Sequence, residues 1–550
     1  MTTTFGYPGI FVTEQLAPPP PVTNQYLNSP STAAFTGEWW NGPSIPILCT
    51  SWNDFISWFG GFNPNPVPVL STPYLGIAVY EFFSNGGTAC WVYRVQNSTT
   101  SSQVAGQEFY DSEGGATPQA TLVLTTGGLG VSGNAGSWGN NVYIDIVASN
   151  NNFGGVFRFN INIYYNPAGT GSGSQYLVES WLDLSMVVTD PRYVCTILNS
   201  STTGSRWVWA LDLSDPAGSP QNVPSPVTGV AFVGGSDGLS PAPSDYIATL
   251  TYDSNPSSPF DSIGGMLNFN LPGVFYDPSP YPGTAPAYTT NVINAAISYA
   301  ENRPSTFLVI DPPQGQTPAG LAAELSELSP TNSSYCAIYY PWVSVANPAS
   351  SNLLSTQTIP PCGPVLGQFA NTDTVSGPWT APAGTSTILQ NVVSTERAFS
   401  PSDLTLLTSY NINPLRTQPN GQIVIWGTRT QNQGFATKFV PVRRTLDYVE
   451  SRLTELLSYA VFAPNDAALW SSMTNTCNNF LSNLLAQGAF PSSVASSAYY
   501  VICNSTNNTP QTISQGIVTC EVGMALLYPS EFVSLVISQF QTGGTTVTSA

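Results

Sequence analysis

The chain contains no histidine among its 550 residues. That removes Ser-His-Asp and Cys-His nucleophile arrangements and every His-ligated metal site. Eight cysteines remain (Cys49, Cys90, Cys195, Cys336, Cys362, Cys477, Cys503 and Cys520), none in a C-x-x-C pair. Several sit inside apolar runs and read as small buried core residues, with no zinc site and no metal implied. Gly128 to Gly133 fits G-x-G-x-x-G after a strand-like run, but NAGSWGNN follows where a phosphate cradle needs a helix. GGSDG at 234–238 lacks the lysine of a P-loop and reads as a tight turn. Glu324 and Glu327 share a helical face, as glycosidase carboxylates could, yet a solvated face accounts for them. The 13 tryptophans, with Trp39-Trp40 and Trp207/Trp209 in or near strands, read as core packing rather than a sugar-binding surface. No catalytic residue and no cofactor is assigned, and the chain is read as a non-enzyme.

One dense ionic patch stands out: Arg443 and Arg444 with Asp447, Glu450 and Arg452. Together with Arg429 and Lys438 it holds a large share of the 12 basic residues, against 31 acidic ones and a net charge of −19. The bland reading is an i,i+4 network on an exposed helix. The functional reading is a polar contact of Arg443, Arg444, Asp447 and Glu450 with another molecule. Arginines at a helix start are disfavoured by the dipole, which an acidic partner would offset.

The acidic balance argues against nucleic acid as a partner. Charged residues make up 8% of the chain, against roughly 25% in ordinary soluble proteins. The polar surface must come from Ser, Thr, Asn and Gln, which lose little when packed against copies of the same chain. No basic-flanked leader and no run of ~20 apolar residues is present, so neither a signal peptide nor a membrane span is expected.

The elements that would position such contacts lie at the two ends. Gly6 to Glu14 (GYPGIFVTE) reads as a strand, with Tyr7 near its start, Ile10 and Val12 on one face and Phe11 on the other. Prolines 18–21 keep it from turning back into a hairpin, so its partner must be distant or in another molecule. At the far end, 516–527 and 531–540 read as two more strands. In the second, Phe532 and Val536 share one face, and Val533, Leu535 and Ile537 share the other. Both ends read as exchangeable strand arms.

Between them the pattern predicts an α/β core (α+β) with an inserted all-β domain. Residues 1–31 form the N-terminal arm and Pro-rich linker. Residues 32–104 are the first part of the core, with helices over 51–59 and 74–84 and a buried strand over 89–95. Residues 105–232 are the β-rich outer insertion, carrying 121–126, 141–148 and 156–165 as strands. Residues 233–410 return to α/β, with a helix over 290–302 and an apolar strand over 306–310. Residues 411–550 form a C-terminal core domain, with helices over 444–459 and 466–487 and an apolar stripe at Leu446, Val449, Leu453, Leu456 and Leu457.

The ordered set GYPGIFVTE, AFTGEWWNGPSIPILCTSWNDFISWFGG, AVYEFFSNGGTACWVYRV, GSWGNNVYIDIV, GGSDG, NRPSTFLVIDPP, NINPLR, IVIWGTRT, VPVRRTLDYVESRL, FAPND and YPSEFVSLVISQF resembles the tail sheath proteins of contractile-tailed bacteriophages, part of the contractile injection system sheath family. It covers the two ends and the α/β core. The linker APPPPV and the Pro/Ser-rich stretch 344–387 depart from the pattern. The resemblance implies a structural subunit in a homo-oligomer of stacked rings forming a helical polymer. Its partners would be the tail tube protein and the baseplate and tail terminator proteins, without nucleic acid or membrane insertion. Its place would be the virion tail, after assembly in the host cytoplasm. The arms would add strands to neighbours' sheets, and contraction would drive the tube through the host envelope, without ATP. The alternatives are the sheath of a non-viral contractile injection system (tailocin or type VI-like), or a β-rich fibre or adhesin.

Overall fold

The computed structural model describes residues 29–62, 74–111, 118–151, 156–166, 175–213, 223–251, 258–261, 263–274, 287–325, 332–348, 350, 352, 354–532, 534, 540–541 and 545–546. The structural statements below concern these residues. The molecule is mixed α/β and is organised on an eight-stranded sheet. Its order is Ile423–Ile425, Ile412–Thr417, Cys336–Tyr340, Thr306–Ile310, Leu267–Asn270, Ala33–Gly37, Cys90–Arg94 and Ile47–Cys49. The inner strands pair in parallel, and only the two edge strands run antiparallel to their neighbours.

Such a sheet is covered on both faces, so its central strands read as continuous apolar runs. Thr306–Ile310 and Cys336–Tyr340 are buried at every position. The pleat then sorts neighbours to opposite sides. Phe307, Val309, Ala337 and Tyr339 enter a core with Phe55, Phe59, Phe82, Val365 and Phe369. Leu308, Ile310, Cys336 and Ile338 enter a second core with Val292, Ala296, Tyr299 and Leu407. Helices Trp52–Phe59, Leu75–Ser84 and Cys362–Ser376 supply the first layer, and Ala287–Asn302 and Pro401–Ser409 the second.

The stretch 344–387, read from sequence as a departure, is part of this layering. It takes in most of strand Val343–Ala346 and all of Thr356–Ile359, which pair in a three-stranded sheet with Val392–Thr395, and the largely buried helix Cys362–Ser376. That helix lies backbone-close to Leu75–Ser84. A Cβ on Gly363 would come within 2.5 Å of Ala78 O, and one on Gly367 within 2.6 Å of Phe82 O. Asp311 caps its start: one carboxyl oxygen accepts from Cys362 N at 3.0 Å, the other from Asn270 Nδ2 at 3.1 Å. Burial pushes this carboxyl up to about 7.

Residues 106–231 form two further antiparallel sheets. One joins Val208–Asp212, Ala120–Gly128 and Gly106–Tyr110, with Val131–Ser132 beside Ala120–Gly128. The other joins Val227–Ala231, Val142–Ala148, Arg158–Tyr165 and Tyr176–Ser185. They share an apolar cluster and include one short helix, Val194–Leu198. The G-x-G-x-x-G segment is a hairpin: Leu129 and Gly130 both have positive φ (42° and 82°) between paired strands. GGSDG, expected as a tight turn, instead runs alongside Gln103, to which Ser236 is bridged, and its Asp237 accepts from both Ser137 N and Ser137 Oγ at 2.7 Å. Buried Arg94 ties this part to the central sheet, donating to Trp39 O, Gly42 O, Ala135 O and Ser102 Oγ.

The C-terminal part packs helices Val440–Leu456 and Ala467–Ala486 against a two-stranded sheet, Tyr499–Ile502 with Glu521–Met524. The first helix starts four residues earlier than expected, because Pro441 sits in its first turn, where a missing N–H costs nothing. The run 516–527 also differs from expectation. Its Glu521–Met524 portion is paired inside the chain and is not a free arm.

Candidate functional site: the roots of the two chain ends

The ionic patch is not a surface network. Arg443, Arg444 and Asp447 are buried, and Glu450 alone of the four is exposed. Arg444 has no exposed side-chain surface. Its Nη1 donates to Asp373 Oδ1 at 3.0 Å and its Nη2 to Asp373 Oδ2, and the guanidinium lies 4.7 Å from the Phe369 ring centre. Nε donates to Asn268 Oδ1 at 2.9 Å and Nη2 to Pro30 O at 3.1 Å. Asn268 Nδ2 donates to the same Pro30 O at 2.7 Å and to Thr32 O at 3.1 Å. The partner that offsets a cation near the helix start is therefore Asp373, within the chain. Burial raises the Asp373 carboxyl, and the Arg444 charge opposes that rise.

Arg443 lies over Tyr335 at 4.5 Å and sits 2.7 Å from Asp447, the i,i+4 pair that the spacing suggested. The contact is a charge contact without hydrogen-bond alignment, since both Asp447 oxygens lack a hydrogen-bond partner among the described residues. Burial pushes Asp447 up to about 7 against the pull of Arg443. Arg443, Arg444 and Asp447, expected to contact another molecule, are buried and paired with one another or with Asp373 inside the fold.

Arg429 performs the matching task at the other end. Its Nε donates to Glu531 Oε1 at 2.8 Å and Oε2 at 3.0 Å, and Nη1 donates to Thr408 O at 2.7 Å. Its own N–H and C=O bond the side chain of Asn413, which fixes the backbone behind it. Phe439 packs edge-on to Tyr528 at 6.2 Å between ring centres. The segment leading to the C-terminal run is thus pinned at Tyr528 and Glu531. One residue later Phe532 is 80% exposed. Sequence reasoning missed Glu531, Asp373 and Asn268. The only available signal was the surplus of arginine between 429 and 444 in a chain poor in cations.

Of the residues expected in the arms, Tyr7, Ile10, Phe11, Val12, Val533, Leu535, Val536 and Ile537 lie outside the described residues. Among the described residues no cluster of His, Cys, Asp or Glu could hold a metal ion, and no helix is long and apolar enough to cross a membrane.

Comparison with known proteins places this architecture. Residues 278–431 match the family model of the phage tail sheath protein central domain. This span includes the stretch 344–387, read from the sequence as a departure from the family pattern. The tail sheath protein of Vibrio phage KVP40 is 26% identical over 163 residues, and that of Enterobacteria phage T4 is 26% identical over 160. Each match covers 28% of this chain and 23% of the relative, so the chain matches under a quarter of the length of these curated proteins. The fold is shared more widely. The anti-feeding prophage helical sheath in its contracted state superposes with a TM-score of 0.53 at 19% identity, covering 98% of this chain and 100% of that one. The sheath tail protein of Listeria innocua gives 0.55 at 11% identity, covering 88% and 93%. The chain has the fold of contractile sheath proteins, and residues 278–431 match the model of the phage tail sheath central domain.

Proposed function

We propose that this chain is the repeating structural subunit of a contractile tail sheath. It polymerises around a tail tube by exchanging terminal strands, and contracts to drive the tube through a host envelope. The observation that carries the reading is the two-stranded sheet Tyr499–Ile502/Glu521–Met524. Each of its strands pairs only with the other among the described residues. Two strands alone are marginal in water, and open edges invite added strands. The chain offers strand-like segments at both ends, and the root of each is pinned by a buried arginine.

In this reading the arms Tyr7–Val12 and Phe532–Ile537 add to such sheets in neighbouring copies, making stacked rings joined as a mesh. Exposed Glu450 remains available to a neighbouring copy or the tube. Residues 105–232 form the inserted outer domain, held to the core by Arg94, and they face away from the tube. Energy stored at assembly in a kinetically trapped extended state drives rigid-body rotation of subunits, so the role is mechanical rather than enzymatic. Baseplate and tail terminator proteins would be the end partners, and the virion tail its location.

Electron microscopy of the purified chain at rising concentration tests the proposal. Tubes with a regular axial repeat are expected. A protein that stays monomeric at every concentration, with or without a tail tube, would overturn it.

A further inference from the structure

Three of the eight cysteines meet at one place. Cys477 lies on the buried face of helix Ala467–Ala486, and its Sγ is 4.0 Å from Cys520 Sγ. Cys503 and Cys520 are the next residues outward on the two strands of the C-terminal hairpin, whose register ends at Ile502 opposite Glu521. Their side chains also interact. Asn508, itself 1% exposed, holds the two strand ends together. Its Nδ2 donates to Cys503 Sγ at 3.8 Å and to Thr519 O at 3.0 Å, and its Oδ1 accepts from Thr519 N at 2.7 Å. Cys477 and Cys503 are buried, whereas Cys520 is partly open to solvent. A disulfide needs the sulfurs about 2 Å apart and its Cα atoms within about 7 Å. Thiols already 4.0 Å apart on a helix and a strand that pack together need only a side-chain rotation and a small shift.

We propose that Cys477, Cys503 and Cys520 form a thiol–disulfide site with Cys520 as its hub, closing by two-electron oxidation with a soluble disulfide such as glutathione disulfide. In the first step a Cys520 thiolate, its proton passed to water, attacks one sulfur of the reagent and expels one glutathione thiolate. In the second, a Cys477 thiolate attacks Cys520 Sγ and expels the other. The protein loses two hydrogens, one S–S bond forms and one breaks, and the reagent is reduced to two thiols. Cys503 is the alternative partner when Cys477 is absent. The bond would clamp helix Ala467–Ala486 to the edge-bearing strand Glu521–Met524. The site stands on its own geometry and does not depend on the sheath reading.

The molecule contains a built-in contrast. Cys49 and Cys90 face each other across antiparallel strands, but both are fully buried in the central sheet. Proximity alone would favour that pair, whereas reagent access favours the trio. Burial pushes the thiols of Cys503 and Cys520 up to about 11 and that of Cys477 upward. Exchange is therefore slow and is best followed in mildly alkaline buffer.

The full-length folded chain is incubated with glutathione disulfide, alkylated under denaturing conditions and mapped by mass spectrometry. The expected result is a loss of two hydrogens with six alkylated cysteines instead of eight, the bond mapping to Cys520 with Cys477. Cys477→Ser should move it to Cys503–Cys520, and Cys520→Ser should abolish it. The cross-linked wild type should also melt at a higher temperature, reversed by a reductant. Eight alkylated thiols in the oxidised wild type, a bond at Cys49–Cys90 instead, or full oxidation of Cys520→Ser would each overturn the proposal. The wild-type map decides the question even if a variant fails to fold.

Discussion

Arg444 carries a full charge with no exposed side-chain surface, and Asp373, Asn268 and Pro30 supply the acceptors that make this tolerable. Removing one partner of a buried ion pair strands the other. Arg444→Met should therefore lower stability by about 3–5 kcal/mol, read as a drop in the urea midpoint, and adding Asp373→Asn should recover part of the loss. Charge reversal at Arg443 and Arg444 should unfold this region rather than produce a folded monomer with a salt-sensitive assembly defect. Glu81 presents the opposite case, a fully buried carboxyl that faces neutral amides, Asn85 Nδ2 donating to it at 3.4 Å and the Asn391 side chain also bonding it. Burial pushes it up to about 8 from an ordinary 4.5. Between those values the folded chain holds a proton that the unfolded chain has released, so this group's contribution to stability falls as pH rises and is most unfavourable above about 8. Glu81→Gln should stabilise the protein at alkaline pH by on the order of 2 kcal/mol, with the difference vanishing near pH ~4. Thermal melts of both proteins across that range check the sign, and a gap that widens toward acid would refute it.

Helices and strands were legible where pattern and caps agreed. Ser51 accepts from Asp54 N to start Trp52–Phe59, and Asp466 accepts from Ala468 N and Leu469 N to start Ala467–Ala486. The apolar run 306–310 is the fully buried strand that its composition predicted. What sequence could not carry was pairing between distant segments. Asp373 and Arg444 are 71 positions apart, and Arg429 and Glu531 are 102 apart. A glutamate in an apolar strand-like run gives no sign that a buried guanidinium waits for it. The helix Cys362–Ser376 was hidden for a related reason: its glycines and proline look like loop punctuation, yet Gly363 and Gly367 permit backbone contact with Leu75–Ser84. Gly363→Val should cost about 1–3 kcal/mol through overpacking against Ala78, measured by chemical denaturation. Glu531→Gln tests the pinned root of the C-terminal segment. Its ion pair is only partly buried, so stability should change by no more than about 1 kcal/mol, while tube formation should become markedly weaker.

At the scale of the whole molecule, the central sheet and its two helical layers are joined by two extensive apolar cores. In the two-stranded C-terminal sheet, each strand pairs only with the other among the described residues. The 106–231 sheets have their own apolar cluster and joining polar network, which suits a peripheral body. Limited proteolysis of assembled material should therefore cut within 105–232 before either end. The central claim is that completion of the small sheet comes from another copy. An added strand supplies about 4–6 backbone hydrogen bonds at roughly 1 kcal/mol net each, weak singly and strong in a lattice. The most direct measurement is electron microscopy combined with sedimentation of the chain lacking residues 1–20, beside the full-length chain. The account predicts a folded monomer with unchanged melting temperature that forms no tubes. Tubes of normal length from the truncated chain would contradict it.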